Sequence, residues 1–517
     1  MRSAGLFGLL RDIKKIYSKE PQQAYSESFT PLASELDELL DRINKDFGGS
    51  EDITVRRIEV SGIRTAVISI DNMVDKQVLA EGVLEPLLDM RCSADSGGLL
   101  QELCSRVLCT AESELLQSYE QLERRIMSGC AVIAADGCGK AVSAGIQGYA
   151  SRSVSEPEAD IVQRGSREGF VESVRVNMTM IRRRMRTPQL CFESMITGKT
   201  SRTEIVLCYL RGAVSEELLE TLRQRLGRIP LDTVLSAGYL VPFLEDDKGH
   251  SLFCGIGVSE RPDTVCGKLT EGRIAILVDG VPSALIAPHI FAEYFQSLDD
   301  YSNRAYFATF TRILKYFAFL ISVLLPGLFV SLGTFDPEMF PTLMLNKIAS
   351  SIASTPLSLT METVLILFVY EIMREAGLRM PRPLGYAVSI VGGLVVGDTA
   401  VNAGLIGAPT LMIVAISAIS SYVVPDLYAP SAVLRFAFTL AAGALGIWGV
   451  AVVFSIALVD LCGKTSLGIP YTSPVTPFSA VAFRDVVIRA GWRVLSKKNE
   501  RVQELPGADL EGDKHEQ

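Results

Sequence analysis

Apolar and polar positions alternate along the first part of the chain and give way, past about residue 312, to long apolar runs. "ITVRRIEV" (53–60) and "RTAVISID" (64–71) have the period of paired strands. Helical patterns follow at 74–90 and 99–126. "GCAVIAADGCGKAVSA" (129–144) reads strand, Asp-Gly turn, strand, and "GRIAILVDGVPSALIAP" (272–288) repeats the plan. Gly129 matches Gly272, and Asp136-Gly137 matches Asp279-Gly280, each supplying the positive-φ residue of a tight hairpin. Between them 203–229 reads strand then helix, with Ser215 as N-cap. Two hairpins on one plan suggest two α/β subdomains, with the junction placed near 187–200, where Pro188, Gly198 and Ser201 punctuate the chain.

In the second half five apolar segments stand out: Tyr316–Leu332, Pro356–Met373, Leu384–Ile406, Thr410–Val424 and Leu434–Leu461. Pro326 kinks the first, and Pro356 and Pro425 bound or kink others. Gly393 and Gly397 form a small-xxx-small pair suited to close helix packing. Arg374, Arg379 and Arg382 mark the loop after the second segment as cytoplasmic, as do Arg484, Arg489, Arg493, Lys497 and Lys498 in the tail. With both ends inside, the crossings must be even in number. Four spans are expected, with the short Thr410–Val424 re-entrant or interfacial.

The fold class is thus a soluble α/β N-terminal domain of two subdomains followed by an all-α polytopic transmembrane domain. The expected limits are a flexible, amphipathic segment at 1–30, subdomains at 31–190 and 191–312, a membrane domain at 313–463 and a cytoplasmic tail at 464–517, disordered distally. "MRSAGLFGLLRDIKK" lacks a signal-peptide cleavage site, which leaves the N-terminal domain in the cytoplasm. A net charge of −9 argues against nucleic acid as a partner. Ten scattered cysteines and three isolated histidines, His250, His289 and His515, offer no disulfide framework, metal site or nucleophile–base set. No cofactor, no metal and no enzymatic activity are expected. "GCGK" (137–140) is not a phosphate loop, since Ala134 and Ala141 stand where Gly and Ser/Thr belong.

Three constellations carry candidate chemistry. The first is "LTMETVLILFVYEIMREAG" (359–377), with Glu362 and Glu371 set into an apolar helix. Residues 364–369 favour insertion by about 2–4 kcal/mol, and each acid opposes it by about 2.5–3.5. Alone the segment inserts marginally, so it needs protein neighbours or water. The acids fall on opposite faces. Glu362 goes with Ile366, Val369 and Met373 and is the better candidate for lining a path. Glu371 goes with Val364, Leu367 and Glu375, has Arg374 within reach, and reads as structural. The second is Asp398 and Asn402, four apart on one face: an interhelical hydrogen bond or an ion path. The third is the basic segment 164–188, with Phe170, Val174, Met178 and Ile181 on its packed face. Its other face is either solvated and paired with acids, or a contact surface for a neighbouring subunit or anionic lipid.

The chain resembles the A subunit of the GerA-type spore germinant receptors. The resemblance rests on "RGSREGFVESVRVNMTMIRRR" (164–184), "ERPDTV" (260–265), "EGRIAILVDG" (271–280), "FQSLDDYSNR" (295–304), "REAGLRMPRPLGYAVSIVGGLVVG" (374–397) and "GIPYTSP" (468–474), in the expected order. Ser166 stands where the family often has proline, and Asp398 where it often has glutamine. The resemblance implies an integral protein of the inner spore membrane, working with a transporter-like B subunit and a lipoprotein C subunit. It also implies a homo-oligomeric ring, a pentamer, that forms a nutrient-gated cation channel. On that basis Glu362, Ile366, Val369 and Met373 line the pore, Ile366 or Val369 forming an apolar gate. Arg164, Arg167, Glu172, Arg175, Asn177, Arg182 and Arg184 hold subunits together. A non-conducting scaffold coupling the B subunit to the germination machinery, or a paralogous accessory channel, are the competing readings.

Overall fold

The computed structural model describes residues 29–510 except 91–95, 109, 111, 149–155, 158–159, 248–250, 381–396, 398, 480–481 and 497–500. The amphipathic start, Arg382, Gly393, Asp398, Lys497, Lys498 and most of the segment 384–406 lie outside these residues. The rest folds into two α/β lobes followed by a helical bundle.

The first lobe is built from helix α1 (Leu36–Asp46), strands β1 (Ile53–Val60), β2 (Ile63–Ile70) and β3 (Ser113–Leu116), helix α2 (Tyr119–Met127), and the hairpin β4 (Ala131–Ala135) and β5 (Ala141–Ala144). The sheet is antiparallel in the order β1-β2-β4-β5-β3. Alternation along β2 and β4 sends Ile68 and Val132 to a core under α1 and α2, and Val67 and Ile133 to a core under helical turns within 76–107. The continuous helix expected over 99–126 is interrupted, because β3 pairs with β5 and closes the sheet edge.

The second lobe repeats this plan with helix α3 (Val174–Arg184), β6 (Leu190–Thr197), β7 (Thr203–Leu210), α4 (Glu216–Gly227), β8 (Gly257–Ser259), α5 (Pro262–Thr270), β9 (Ile274–Val278) and β10 (Ala284–Ala287). Its order, β6-β7-β9-β10-β8, is the same topology. The repetition reaches single hydrogen bonds. In the first lobe Asp136 Oδ1 accepts from the Leu36 N–H at 3.0 Å, and the Gly137 N–H donates to Ser34 O at 2.8 Å. In the second, Asp279 Oδ1 accepts from the Val174 N–H at 3.1 Å, and the Gly280 N–H donates to Glu172 O at 2.8 Å. Both glycines have positive φ, +78° and +85°. Each hairpin aspartate therefore caps the first helix of its own lobe.

This correspondence moves the lobe boundary. Helix α3, expected in the first subdomain, is the counterpart of α1 and packs Val174, Met178 and Ile181 on the second sheet. The boundary lies before residue 170, not at 190. It also changes the basic segment. Arg182 is fully buried, and its guanidinium grips Asp52 through Nε at 2.8 Å and Nη2 at 2.9 Å, with Ser50 alongside at 3.3 Å. Asn177, also buried, brackets the Val171 peptide. Arg175 pairs with Glu204 and Arg184 with Glu168. These four residues are engaged within the chain, and Arg182 joins its two lobes. Arg164, Arg167 and Glu172 are exposed.

The bundle comprises α6 (Ala305–Thr334), α7 (Thr342–Ser354), α8 (Leu359–Arg379), α9 (Ala408–Ser421), α10 (Tyr428–Leu445) and α11 (Ile447–Gly463). Two stretches, Ala305–Thr334 and Pro425–Leu445, are long and apolar enough to cross a membrane; α9 and α11 are apolar and shorter. Contacts fix the direction of each helix. α6 starts beside the second lobe, and its far end meets Gly446 through Phe335. α8 starts at that far end, where Leu359 lies against Gly333 and Thr360 against Gly443. The apolar run Leu434–Leu461 is not one tilted segment. Gly446, with φ +62°, turns it into an antiparallel hairpin of α10 and α11. α9 runs alongside α8, its start at Glu362 and its end at Tyr370.

The tail is not an appendage. Strands β11 (Thr465–Ser466) and β12 (Ile469–Pro470) form a hairpin whose Leu467 enters the core of the second lobe, and Ile469 and Val502 pack with Ile290. Arg312, fully buried on α6, bonds Asp300 at 2.7 Å and Asp485 at 2.8 Å. Lobe, first bundle helix and tail thus share one ionic knot. For the joint between the lobes, Asp52→Asn leaves the Arg182 charge uncompensated and is expected to cost about 3–5 kcal/mol of stability. Denaturant titration of the purified chain measures it; an unchanged midpoint would mean that water solvates Arg182.

Candidate functional site

The physical problem in the bundle begins with Pro326. A proline in a helix interior has no N–H, so the carbonyl four residues earlier, Ser322 O, loses its helical partner. In apolar surroundings an unpaired carbonyl costs several kcal/mol. Two side chains from other helices supply the missing donors: Ser417 Oγ on α9 at 2.7 Å and Arg435 Nε on α10 at 2.9 Å. Arg435 is fully buried.

Glu371 on α8 completes the group. Its Oε2 accepts from the Tyr428 hydroxyl at 2.6 Å, and its Oε1 lies 3.9 Å from Arg435 Nη1. Arg374 Nη1 is 4.0 Å from the same carboxylate, with its guanidinium 3.5 Å over the Tyr428 ring. Tyr370 and Tyr422 join α8 to the end of α9 through their hydroxyls at 3.0 Å. Arg435 Nη1 and Nη2 and Glu371 Oε1 make no hydrogen bond among the described residues. The ion pair is therefore close but open, one short movement from direct contact.

Glu362 occupies a second polar contact at the opposite end of α8. Its Oε1 accepts from the Gly407 N–H at 2.7 Å, at the N-terminus of α9, where the helix dipole favours a negative charge. Thr355 Oγ1 lies at 3.4 Å.

The structure therefore turns both acids of α8 into the bundle and leaves a third face free. Glu362 is 1% exposed and Ile366 5%, both packed inward against α9 with Ile406 and Val414 nearby. Val369 and Met373 are half-buried. The free face carries Met361, Leu365, Phe368 and Ile372, at 63, 43, 58 and 53% exposure, and continues into Glu375 and Arg379. A helical wheel separates the two acids but does not say which side of the helix is inward; the buried Gly407 N–H and Arg435 draw both acids in, on either flank of the free stripe. Glu371 and Arg374 are brought together in the polar core. Asn402 is exposed, and Asp398 lies outside the described residues, so that pair gains no site here. Sequence reading missed Arg435, although an arginine inside "SAVLRFAFTL" is the signal that an apolar helix has a buried polar partner.

A second polar cluster lies where lobe, bundle and tail meet, around a cavity of about 800 Å³ lined by His289, Glu293, Lys268, Arg273, Trp492 and Asp426 among others. Burial pushes the Glu293 carboxyl up, but Arg273 at 2.8 Å and Lys268 outweigh it and hold it below the usual range. Burial drives the His289 imidazole down to about 4, with Glu293 opposing.

Two measurements test these clusters. Arg435→Gln is expected to lose about 2–4 kcal/mol of stability, since it strips Ser322 O and Glu371 of a donor and a counter-charge. Pro326→Ala restores the helical partner of Ser322 O and should recover part of that loss; strict additivity in the double-mutant cycle would refute the coupling. For His289, both folded and unfolded forms are neutral above pH 6.5, its ordinary value. Between that value and about 4, the unfolded chain takes a proton that the fold refuses, so stability falls with pH by about 3 kcal/mol. His289→Gln should flatten the melting temperature across this window, and an unchanged slope would assign the loss to other groups.

Residues 41–501 match the family described as Bacillus/Clostridium GerA spore germination protein. The chain is 37% identical over 463 residues to spore germination protein KA of Bacillus subtilis (strain 168), covering 89% of this chain and 85% of that protein. It is 32% identical over 475 residues to spore germination protein B1 of the same organism, covering 91% and 98%. It is also 32% identical to an uncharacterised membrane protein of B. subtilis, YfkQ, covering 90% and 91%. Among solved structures it is similar to the N-terminal domain of the A subunit of the Bacillus megaterium spore germinant receptor GerK3, at 28% identity and a TM-score of 0.41, covering 51% of this chain and 99% of that one.

Proposed function

The chain belongs to the GerA family of spore germination proteins, and from that premise we propose that it is the membrane subunit of a nutrient receptor whose copies surround a cation path, with α8 at the axis. It sits in the inner spore membrane with both lobes and the tail on the cytoplasmic side. It works there with a transporter-like B subunit and a lipoprotein C subunit. α6 and α10 run away from the lobes and α8, α9 and α11 run back toward them, so the tail returns to the side of the lobes, where the arginines of the tail lie.

One observation carries the reading. α8 is pinned to its own bundle by polar contacts on both flanks, through Glu362 and Glu371, and leaves an apolar stripe free between them. Met361, Leu365, Phe368 and Ile372 recur at spacings of three and four, the geometry of a helix that meets copies of itself around an axis. Rings of Leu365 and Phe368 close such a path by dewetting. Glu375, at the lobe end of the stripe, is paired with Arg379 at 2.7 Å and offers cations a ring of acids when that pair opens. Purified protein in planar bilayers tests it. Leu365→Ala should pass cation current without nutrient, and Glu375→Gln should lower the current of that leaky form. A protein that passes no current in either form would instead be a scaffold.

A further inference from the structure

We propose that the second lobe rests on the bilayer through an apolar wedge formed by Leu235, Tyr239 and Phe243, so that the lobe is a membrane-surface element in its own right. The inference rests on the bundle being embedded in lipid, and the partner it commits to is the headgroup–acyl boundary of the membrane.

Residues 234–244 close one face of the lobe. Val234, Ala237, Leu240 and Leu244 are buried against Leu222 and Leu226 of α4, as a covering segment requires. The outward positions are anomalous. Leu235, Tyr239 and Phe243 are 70, 48 and 36% exposed, with Pro242 between them, and no lysine or arginine occurs from 231 to 247. A lobe surrounded by water places charge at such positions; aromatic and aliphatic side chains gathered on a short amphipathic element suit an interface.

The chain that follows this element is fastened to the point where α11 leaves the bundle. Glu245 and Asp247 bond Lys464, the residue after α11, at 3.1 and 2.7 Å. Asp460, in the last turn of α11, accepts from the Ser251 hydroxyl and the Leu252 N–H at 3.0 and 3.3 Å. Leu252 is itself 43% exposed beside that turn. The outer face of α11, with Trp448, Val452, Ile456 and Val459 exposed, is apolar up to this attachment, and Leu252 continues it. Aromatic side chains favour this depth in a membrane because their rings are apolar and their edges polar. The neighbouring acids do not repel the surface, since Lys464 neutralises Glu245 and Asp247, and Arg225 pairs with Asp246 at 2.8 Å. Attraction is therefore apolar and independent of headgroup charge.

The test uses the full chain in phosphatidylcholine vesicles and the two native tryptophans, Trp448 and Trp492. Tyr239→Trp in a Trp448→Phe, Trp492→Phe background places one indole in the wedge, and Trp492→Phe alone keeps Trp448 on α11 as the reporter of embedding. The wedge indole should emit to the blue of a solvated one. It should be quenched more by lipid brominated near the headgroup than by lipid brominated deep in the chain, and high salt should not change this. Quenching at Trp448 without quenching in the wedge overturns the proposal and leaves the embedded bundle intact. Blue emission that no brominated lipid quenches also overturns it, by assigning the patch to a second copy or another protein. Failure at both positions removes the embedding itself.

Discussion

The bundle depends on one carbonyl. Pro326 frees Ser322 O in the middle of a 30-residue apolar helix by removing the N–H that would pair with it. Arg435 and Ser417 answer from two other helices, so the position of α6 fixes those of α9 and α10. A charged guanidinium brought there to satisfy a neutral carbonyl then needs an anion, and Glu371 provides it from α8. Four helices are thereby ordered around a single defect in hydrogen bonding. The network is not closed, however. Two Arg435 nitrogens and one Glu371 oxygen make no hydrogen bond among the described residues, so the link from Arg435 to α8 is looser than its bond to Ser322 O.

The lobes show the opposite economy, one hydrogen-bonded hairpin-and-cap unit used twice. Each hairpin turn both reverses the chain at a positive-φ glycine and caps the lobe's first helix with the preceding aspartate. Turn and cap are thus one device, which is why Asp-Gly stands at corresponding places. What differs between the copies is what each is attached to. The first lobe meets the second through Asp52 and Arg182, while the second receives the tail, with Leu467 completing its core.

The strands and the repeated hairpin were legible because a period of two and an Asp-Gly turn are local signals. The lobe boundary was not. α3 has an ordinary amphipathic pattern, and only the capping bond from Asp279, more than a hundred residues on, says which sheet it covers. The same limit governed the site. The sequence placed Glu362 and Glu371 on opposite faces of α8, and they do lie so, but the inward direction of Glu362 depends on the Gly407 N–H, forty-five residues away. The single long segment 434–461 hid a hairpin because glycine in apolar helices is common, and only its positive φ distinguishes a turn from a packing site. Glu371 was read as structural beside Arg374; its deeper partner, Arg435, was visible in the sequence yet needed Pro326 to explain it.

Force applied to the lobes reaches the bundle unequally. Arg312 ties the second lobe and the tail to α6, and Lys464 ties the same lobe to α11, both through buried ion pairs. Such pairs resist separation strongly, because breaking one leaves a charge without compensation in a poorly solvated place. No bond of this kind among the described residues joins α8 to a lobe. A shift of the second lobe therefore moves α6 and α11 as attached bodies, and α8 follows through its contacts with the other helices, among them the one that α6 controls through Arg435. Because Arg435 Nε is held by Ser322 O, a displacement of α6 changes the gap between Arg435 and Glu371, which is already open at 3.9 Å. This open polar contact thus lies between the part of the bundle that the lobes hold through α6 and a helix, α8, whose exposed face is apolar.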